Sequence, residues 1–320
     1  MAQNDTEGPM LAHMLEWYDL TDEERQIRDL ALAVARDEIA PRAEKHDLEG
    51  TFVRDSIEVL AESGLLGVNI PTEYGGLGGS PLATLMTIEA VSAACASTGA
   101  SFMFHCNLAH VIQGAGPESL RQKFLTQLAK DKLGSFAINE RVRLFRDEFD
   151  TTVEEKDDHY VVSGFKPFST SAGEADFAIV QTQKSTTPPG HPFPVFEQEY
   201  LIVEKGMPGL SASVYDPMGL RGASNGSVKL ENVKVPKENV VGEDPGRMIR
   251  SVVWKGNSLL GPNIVAAGPA GAALEAAVHH VRTHGAEEWQ SHILAPMSDQ
   301  LNALRAYNYY GARIMHDFGK

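Results

Sequence analysis

The sequence predicts an α+β chain that is mostly helical, with a helical N-terminal domain, a middle antiparallel β-barrel and a short C-terminal helical segment. Three observations carry this. Up to about residue 130, apolar side chains recur at helical spacing between capping signals. From Gly134 to about Gly242, short β-branched and aromatic runs alternate with turn residues, and no helix-length pattern lies between them. From about Gly246 the helical signal returns. Without crossover helices the strands pair as an antiparallel barrel or sandwich, not as a parallel α/β sheet. The expected domains are 1–133, 134–245 and 246–320.

Thr21 to Glu24 reads T-D-E-E, a capping box at a helix start. Ile27, Leu30, Val34 and Ile39 then fall near one face, and Pro41 is expected to stop the run. Asp55–Ser63 reads as a second helix closed by Gly64. Ser80 and Pro81 form an N-cap and first-turn pair for a third, to about Cys95. A fourth covers about Ser101–Gln113 and a fifth Glu118–Ala129. Strands are expected at His159–Ser163, Asp176–Gln181, Glu199–Glu204, Leu210–Tyr215 and Ser227–Val235. Ser185–Phe196 holds four prolines and suits a surface loop. Ile264–Arg282 is small and apolar, and Pro296–Phe318 is amphipathic, so both read as helices.

The chain has 320 residues, long enough for a sizeable core without staples. Lys and Arg number 28 against 43 Asp and Glu, a formal net charge of −15. That balance excludes nucleic acid as the main partner and argues against an anionic membrane surface. Ala90–Pro117 carries no formal charge, but its polar residues and glycines suit a buried helix and not a membrane span. Met1–Gly8 lacks the pattern of a secretory leader, and Cys95 and Cys106 imply no disulfide framework, so the cytoplasm is the expected location.

Isolated chemical motifs are weak. The glycine run from Tyr74 to Ser80 has no Lys-Ser or Lys-Thr pair and reads as a structural turn. Gly268-Pro-Ala-Gly271 reads as close helix packing. His279, His280 and His284 lack a further clear ligand, so no metal is expected. His105 and Cys106 are neighbours in sequence, which does not make a catalytic dyad. The seven carboxylates between Asp147 and Asp158 read as a solvated face.

Five segments in order resemble the acyl-CoA dehydrogenase family. They are L-T-D-E-E-R-Q-I-R from Leu20, G-L-L-G-V-N-I-P-T-E-Y-G-G-L-G from Gly64, G-S-F-A-I-N-E from Gly134, G-F-K-P-F-S-T-S from Gly164, and M-G-L-R-G-A-S from Met218 with L-E-N-V-K-V-P from Leu230. The resemblance implies a flavoprotein oxidoreductase that binds FAD and desaturates the α,β bond of an acyl-CoA or acyl-carrier-protein thioester. It also implies an oligomer. Carried over by position, Phe136, Ala137, Ile138 and Asn139 would line the pyrimidine side of the flavin. Asn139 stands where the family usually has Thr, and its amide is also a donor. Phe168 stands at the aromatic position beside the flavin, and Thr170 at the threonine of the N5 edge. Thr98 and Phe102 would border the acyl pocket. Arg221 matches a family arginine with a structural role first.

The departures are as specific. After Glu140 the family's Pro-x-Ala-Gly-Ser-Asp is replaced by R-V-R-L-F-R-D from Arg141, which removes small residues at the cofactor loop. The stretch His284–Gln290 lacks the family's Arg and Phe-Gly pair. At one of the family's two positions for the catalytic glutamate the alignment puts Gly261 and Pro262, and the other lies beyond residue 320. The catalytic residue is therefore unassigned. Two alternatives stand beside the desaturase. One is a non-catalytic or half-site subunit that pairs with a full-length relative in a hetero-oligomer. The other is a flavin-dependent hydroxylase or flavin-free enzyme on the same fold.

Overall fold

A computed structural model describes residues 19–141, 150–186, 198–242, 257–285 and 287–318. The first layer is helical: α1 Asp22–Val34, α2 Ala40–Glu49, α3 Arg54–Glu62, α4 Pro81–Ala94, α5 Ala96–Ala115 and α6 Glu118–Lys130. The Thr21 capping box forms in full, and Ser80 caps α4 through the Ala83 N–H.

Pro41 does not stop the first run. A π-helical turn, Ala35–Ile39, joins α1 to α2, and the Ala40 N–H donates to the Ala35 carbonyl five residues back. The wider turn lets the chain pass a residue that has no N–H to give and whose ring crowds the preceding turn. The buried stripe also sits slightly off the expected face. It runs through Ile27, Ala31, Ala35 and Ile39, while Leu30 is exposed. The other helices of this layer start and end within a few residues of expectation, except α5, which begins five residues earlier, at Ala96; the two C-terminal helices begin earlier still, at Asn257 and Glu288 instead of Ile264 and Pro296.

The middle domain is a curled seven-stranded sheet: β1 Gly134–Ala137, β2 Thr152–Glu155, β3 His159–Ser169, β4 Phe177–Lys184, β5 Gln198–Glu204, β6 Leu210–Val214 and β7 Gly226–Pro236. Most neighbours are antiparallel, as in β3–β7 and β4–β5. Two pairings are parallel, a departure from the all-antiparallel expectation. β1 runs beside Phe177–Val180 and β2 beside Gln183–Lys184, both along β4. The two strands lie one after the other along β4. β2 falls in the acidic stretch, where the outward-facing Glu154 and Glu155 conceal the strand pattern. The proline-rich loop and the Arg141–Asp147 departure lie largely outside the described residues.

Two long helices follow, α7 Asn257–His284 and α8 Glu288–Phe318. The small residues of α7 let it press against α4. A Cβ built on Gly268 would stand 2.6 Å from the Ala93 nitrogen and the Ser92 Cβ. Helix α8 is anchored to the N-terminal layer by two charge contacts. Arg305 donates to Glu89 at 2.6 Å with both side chains buried, and Arg313 donates to both Glu24 oxygens at 2.8 Å. Apolar cores fill the helical layer, the seam between helices and sheet, and the inside of the curl.

Candidate functional site

The residues that the family resemblance singles out meet where β1 ends. The β1–β4 ladder stops at Ala137 and Val180, which leaves the backbone of Ile138 and Asn139 outside it. Phe136 packs toward the helical layer, 6.2 Å from Phe104 between ring centroids, and Ala137 faces the inside of the curl. Asn139 reaches across to β3, and its Nδ2 donates to the Phe168 carbonyl at 3.3 Å.

Phe168 is set apart by its backbone. The β3–β7 register shifts between Lys166 and Ser169, and Phe168 takes φ +55°. A bulge of this kind re-aims a side chain, and left-handed φ is uncommon for a bulky residue. The Phe168 ring is 65% exposed and meets Tyr215 edge-on at 5.6 Å. Val214, Tyr215, Met218 and Leu220 are exposed as well. Thr170 follows Phe168 by two and is buried, its carbonyl accepting the Ser135 hydroxyl. Of the six proposed flavin positions, Asn139 and Phe168 thus meet at one edge with Ile138 and Thr170 beside them, while Phe136 and Ala137 turn their side chains into the cores on either side of β1.

Behind the edge sits an ion pair that sequence reasoning passed over. Lys166 and Glu140 contact each other with side chains 0% and 2% exposed. The Asp150 N–H and the Thr151 hydroxyl also donate to Glu140, at 3.2 and 3.4 Å. Burial lowers Lys166 to about 8, although Glu140 pulls it upward. Burial likewise raises Glu140, and Lys166 opposes that. The pair ties the strand end to β3, one residue after Asn139 and two residues before Phe168. A lysine between Phe165 and Pro167 in an otherwise apolar strand was the available signal.

Thr98 and Phe102 lie on α5 and are wholly buried, Phe102 within the helical core. The Thr98 hydroxyl has no hydrogen-bond partner among the described residues. Gly261 of α7 comes close to the same helix: a Cβ there would meet Met103 Cγ at 2.9 Å. Cys106 is fully buried and its thiol is pushed up by desolvation, which removes it as a nucleophile. His105 is structural: Nε2 donates to the Leu66 carbonyl at 3.0 Å, and Nδ1 accepts the Gly134 N–H at 3.1 Å. Arg221 donates to the Asp47 carbonyl at 2.7 Å and joins the β domain to α2. Among the described residues no cluster of three metal-ligating side chains forms, and no helix is long and apolar enough to cross a membrane.

Residues 21–132 match the family model for the acyl-CoA dehydrogenase N-terminal domain, and 146–233 match the model for its middle domain. A probable acyl-CoA dehydrogenase of Bacillus subtilis is 33% identical over 273 residues, 83% of this chain and 70% of that protein. The chain belongs to the acyl-CoA dehydrogenase family. A short-chain-specific acyl-CoA dehydrogenase of Clostridium acetobutylicum is 30% identical over 71% of this chain and 60% of its own length. The solved butyryl-CoA dehydrogenase of Megasphaera elsdenii superposes with a TM-score of 0.83 at 26% identity, covering 94% of this chain and 81% of that one. The order helices, curled sheet, helices is thus the acyl-CoA dehydrogenase fold, and the aligned stretches leave 30–40% of the two sequence relatives unmatched.

Proposed function

We propose that this acyl-CoA dehydrogenase homologue is a flavin-dependent oxidoreductase that holds FAD against Asn139, Phe168 and Thr170 and desaturates an acyl thioester. The Asn139–Phe168 hydrogen bond carries the reading. It puts a carboxamide donor, an exposed aromatic ring and strand-end backbone at one edge. These residue types fit a flavin. The ring gives an apolar face for stacking, and the Ile138 and Asn139 backbone is free of the ladder to bond the pyrimidine. Thr170 supplies a hydroxyl for the N5 edge.

FAD held there would supply the acceptor for the β hydride. The chain's own part is to position and exclude water. Thr98 and Phe102 contribute the α5 wall beside the acyl chain, and the Lys166–Glu140 pair fixes the two flavin segments relative to each other. A carboxylate must take the α proton. Gly261 and Pro262 supply none at the aligned position, and this favours a second reading in which the chain is a half-site subunit of a hetero-oligomer with a full-length relative.

Anaerobic mixing of the FAD-loaded protein with short-, medium- and long-chain acyl-CoAs separates the two readings. Bleaching of the flavin band by one of them supports the stand-alone dehydrogenase. Bleaching only after a full-length relative is added supports the half-site subunit. Protein that takes up no FAD by itself overturns the stand-alone dehydrogenase, and no FAD uptake even with a full-length relative overturns the half-site subunit.

A further inference from the structure

The strands that carry the proposed flavin edge have an opposite face, and it borders a cavity of about 230 Å3. Ala137, Ala178, Val203 and Val228 give it an apolar wall. Its volume leaves room for a small organic molecule. Four serines add polar atoms, and one of them, Ser211, is exposed. Ser135 is committed, because its hydroxyl donates to the Thr170 carbonyl. Ser169 and Ser171 are 2% and 1% exposed, and neither hydroxyl has a partner among the described residues. A buried hydroxyl left unpaired calls for an explanation, and an unfilled bonding role toward a ligand is one. At the other extreme of exposure stands Lys205, the one ionisable residue among the described residues that line the cavity. The space therefore combines an exposed cation, small apolar walls and two buried, unpaired hydroxyls.

We infer that this cavity binds a short-chain carboxylic acid carrying a second oxygen, such as an oxo acid of five or six carbons. The carboxylate meets Lys205, where water still solvates it and no charge is buried. The chain lies along Ala137, Ala178 and Val228. The far oxygen accepts a hydrogen bond from Ser169 or Ser171. Both serines flank Thr170 in sequence. The site itself does not depend on flavin binding.

Isothermal titration of the full chain with 4-oxopentanoate tests this, with hexanoate as a comparator of the same non-hydrogen atom count. The expected result is one site per chain, with hexanoate about tenfold weaker because its chain end leaves the hydroxyls unpaired. Lys205→Met, at an exposed position, should weaken both ligands about tenfold and leave FAD uptake unchanged. Ser169→Ile, which fills the cavity, should abolish binding. The proposal is overturned if 4-oxopentanoate does not bind, if it binds no better than hexanoate, or if Lys205→Met binds as the parent does. The Lys205→Met arm decides the matter even where Ser169→Ile fails to fold. Its FAD arm keeps a failure here separate from failure of the flavin reading.

Discussion

Asn139 donates its side-chain amide to the Phe168 carbonyl, joining two segments that lie 29 residues apart. Phe168 holds the outward-facing conformation at a backbone cost, since φ +55° crowds its Cβ. Its exposed ring recovers little of that by packing. Strain kept beside a candidate cofactor edge is a functional signature. Phe168→Gly should therefore stabilise the protein by about 1 kcal/mol in urea unfolding and weaken FAD binding at least tenfold. Unchanged FAD affinity would remove Phe168 from the site.

The buried Lys166–Glu140 pair leads to a different expectation. Lys166→Met leaves a buried carboxylate without its cation, which costs about 3–5 kcal/mol. Adding Glu140→Gln should recover most of the loss, because the remaining amide still accepts from Thr151. Chemical denaturation of the two single variants and the double variant measures the coupling. Additive losses would mean that the pair does not act as a unit.

His105 predicts an acid-side dependence. Burial lowers it to about 4, against about 6.5 for a free histidine. Between those values the unfolded chain binds more protons than the folded one. The contribution is thus complete above pH 6.5 and fades as the pH falls toward 4, by about 3 kcal/mol in total. His105→Gln should flatten this slope in unfolding measurements between pH 4 and 7. An unaltered slope would assign the loss to other groups.

Gly268 is where α7 and α4 touch most closely. Gly268→Ala gains helix propensity of about 1 kcal/mol, yet its Cβ would meet backbone that cannot move aside. A net loss of about 1–3 kcal/mol is expected, with a lower melting temperature. A stabilised variant would show that the helices can separate freely.

Much of this organisation was legible in the chain. Thr21, Glu24, Ser80 and Pro81 announce helix starts through local chemistry, which tertiary context leaves intact. The Gly268–Gly271 stretch likewise reads correctly, because close packing needs small residues wherever it occurs. Pro41 misled because a π-helical turn absorbed it, a response no local rule anticipates. β1 and β2 are four residues each, and their pairing with β4 is set by distant sequence. The site follows the same division. Phe168 and Asn139 stand out by position in recurring segments, whereas the Lys166–Glu140 contact and the φ of Phe168 arise only when β1 and β3 come together.

The central claim is a flavin edge formed by Asn139, Phe168 and Thr170, and FAD titration of the purified protein tests it most directly. The visible spectrum and flavin fluorescence should be followed for the parent chain and for Asn139→Ala and Phe168→Gly. The account predicts near-stoichiometric FAD in the parent and at least tenfold weaker binding in each variant, with both variants folded. A parent that cannot be loaded, or variants that bind FAD equally well, would contradict it.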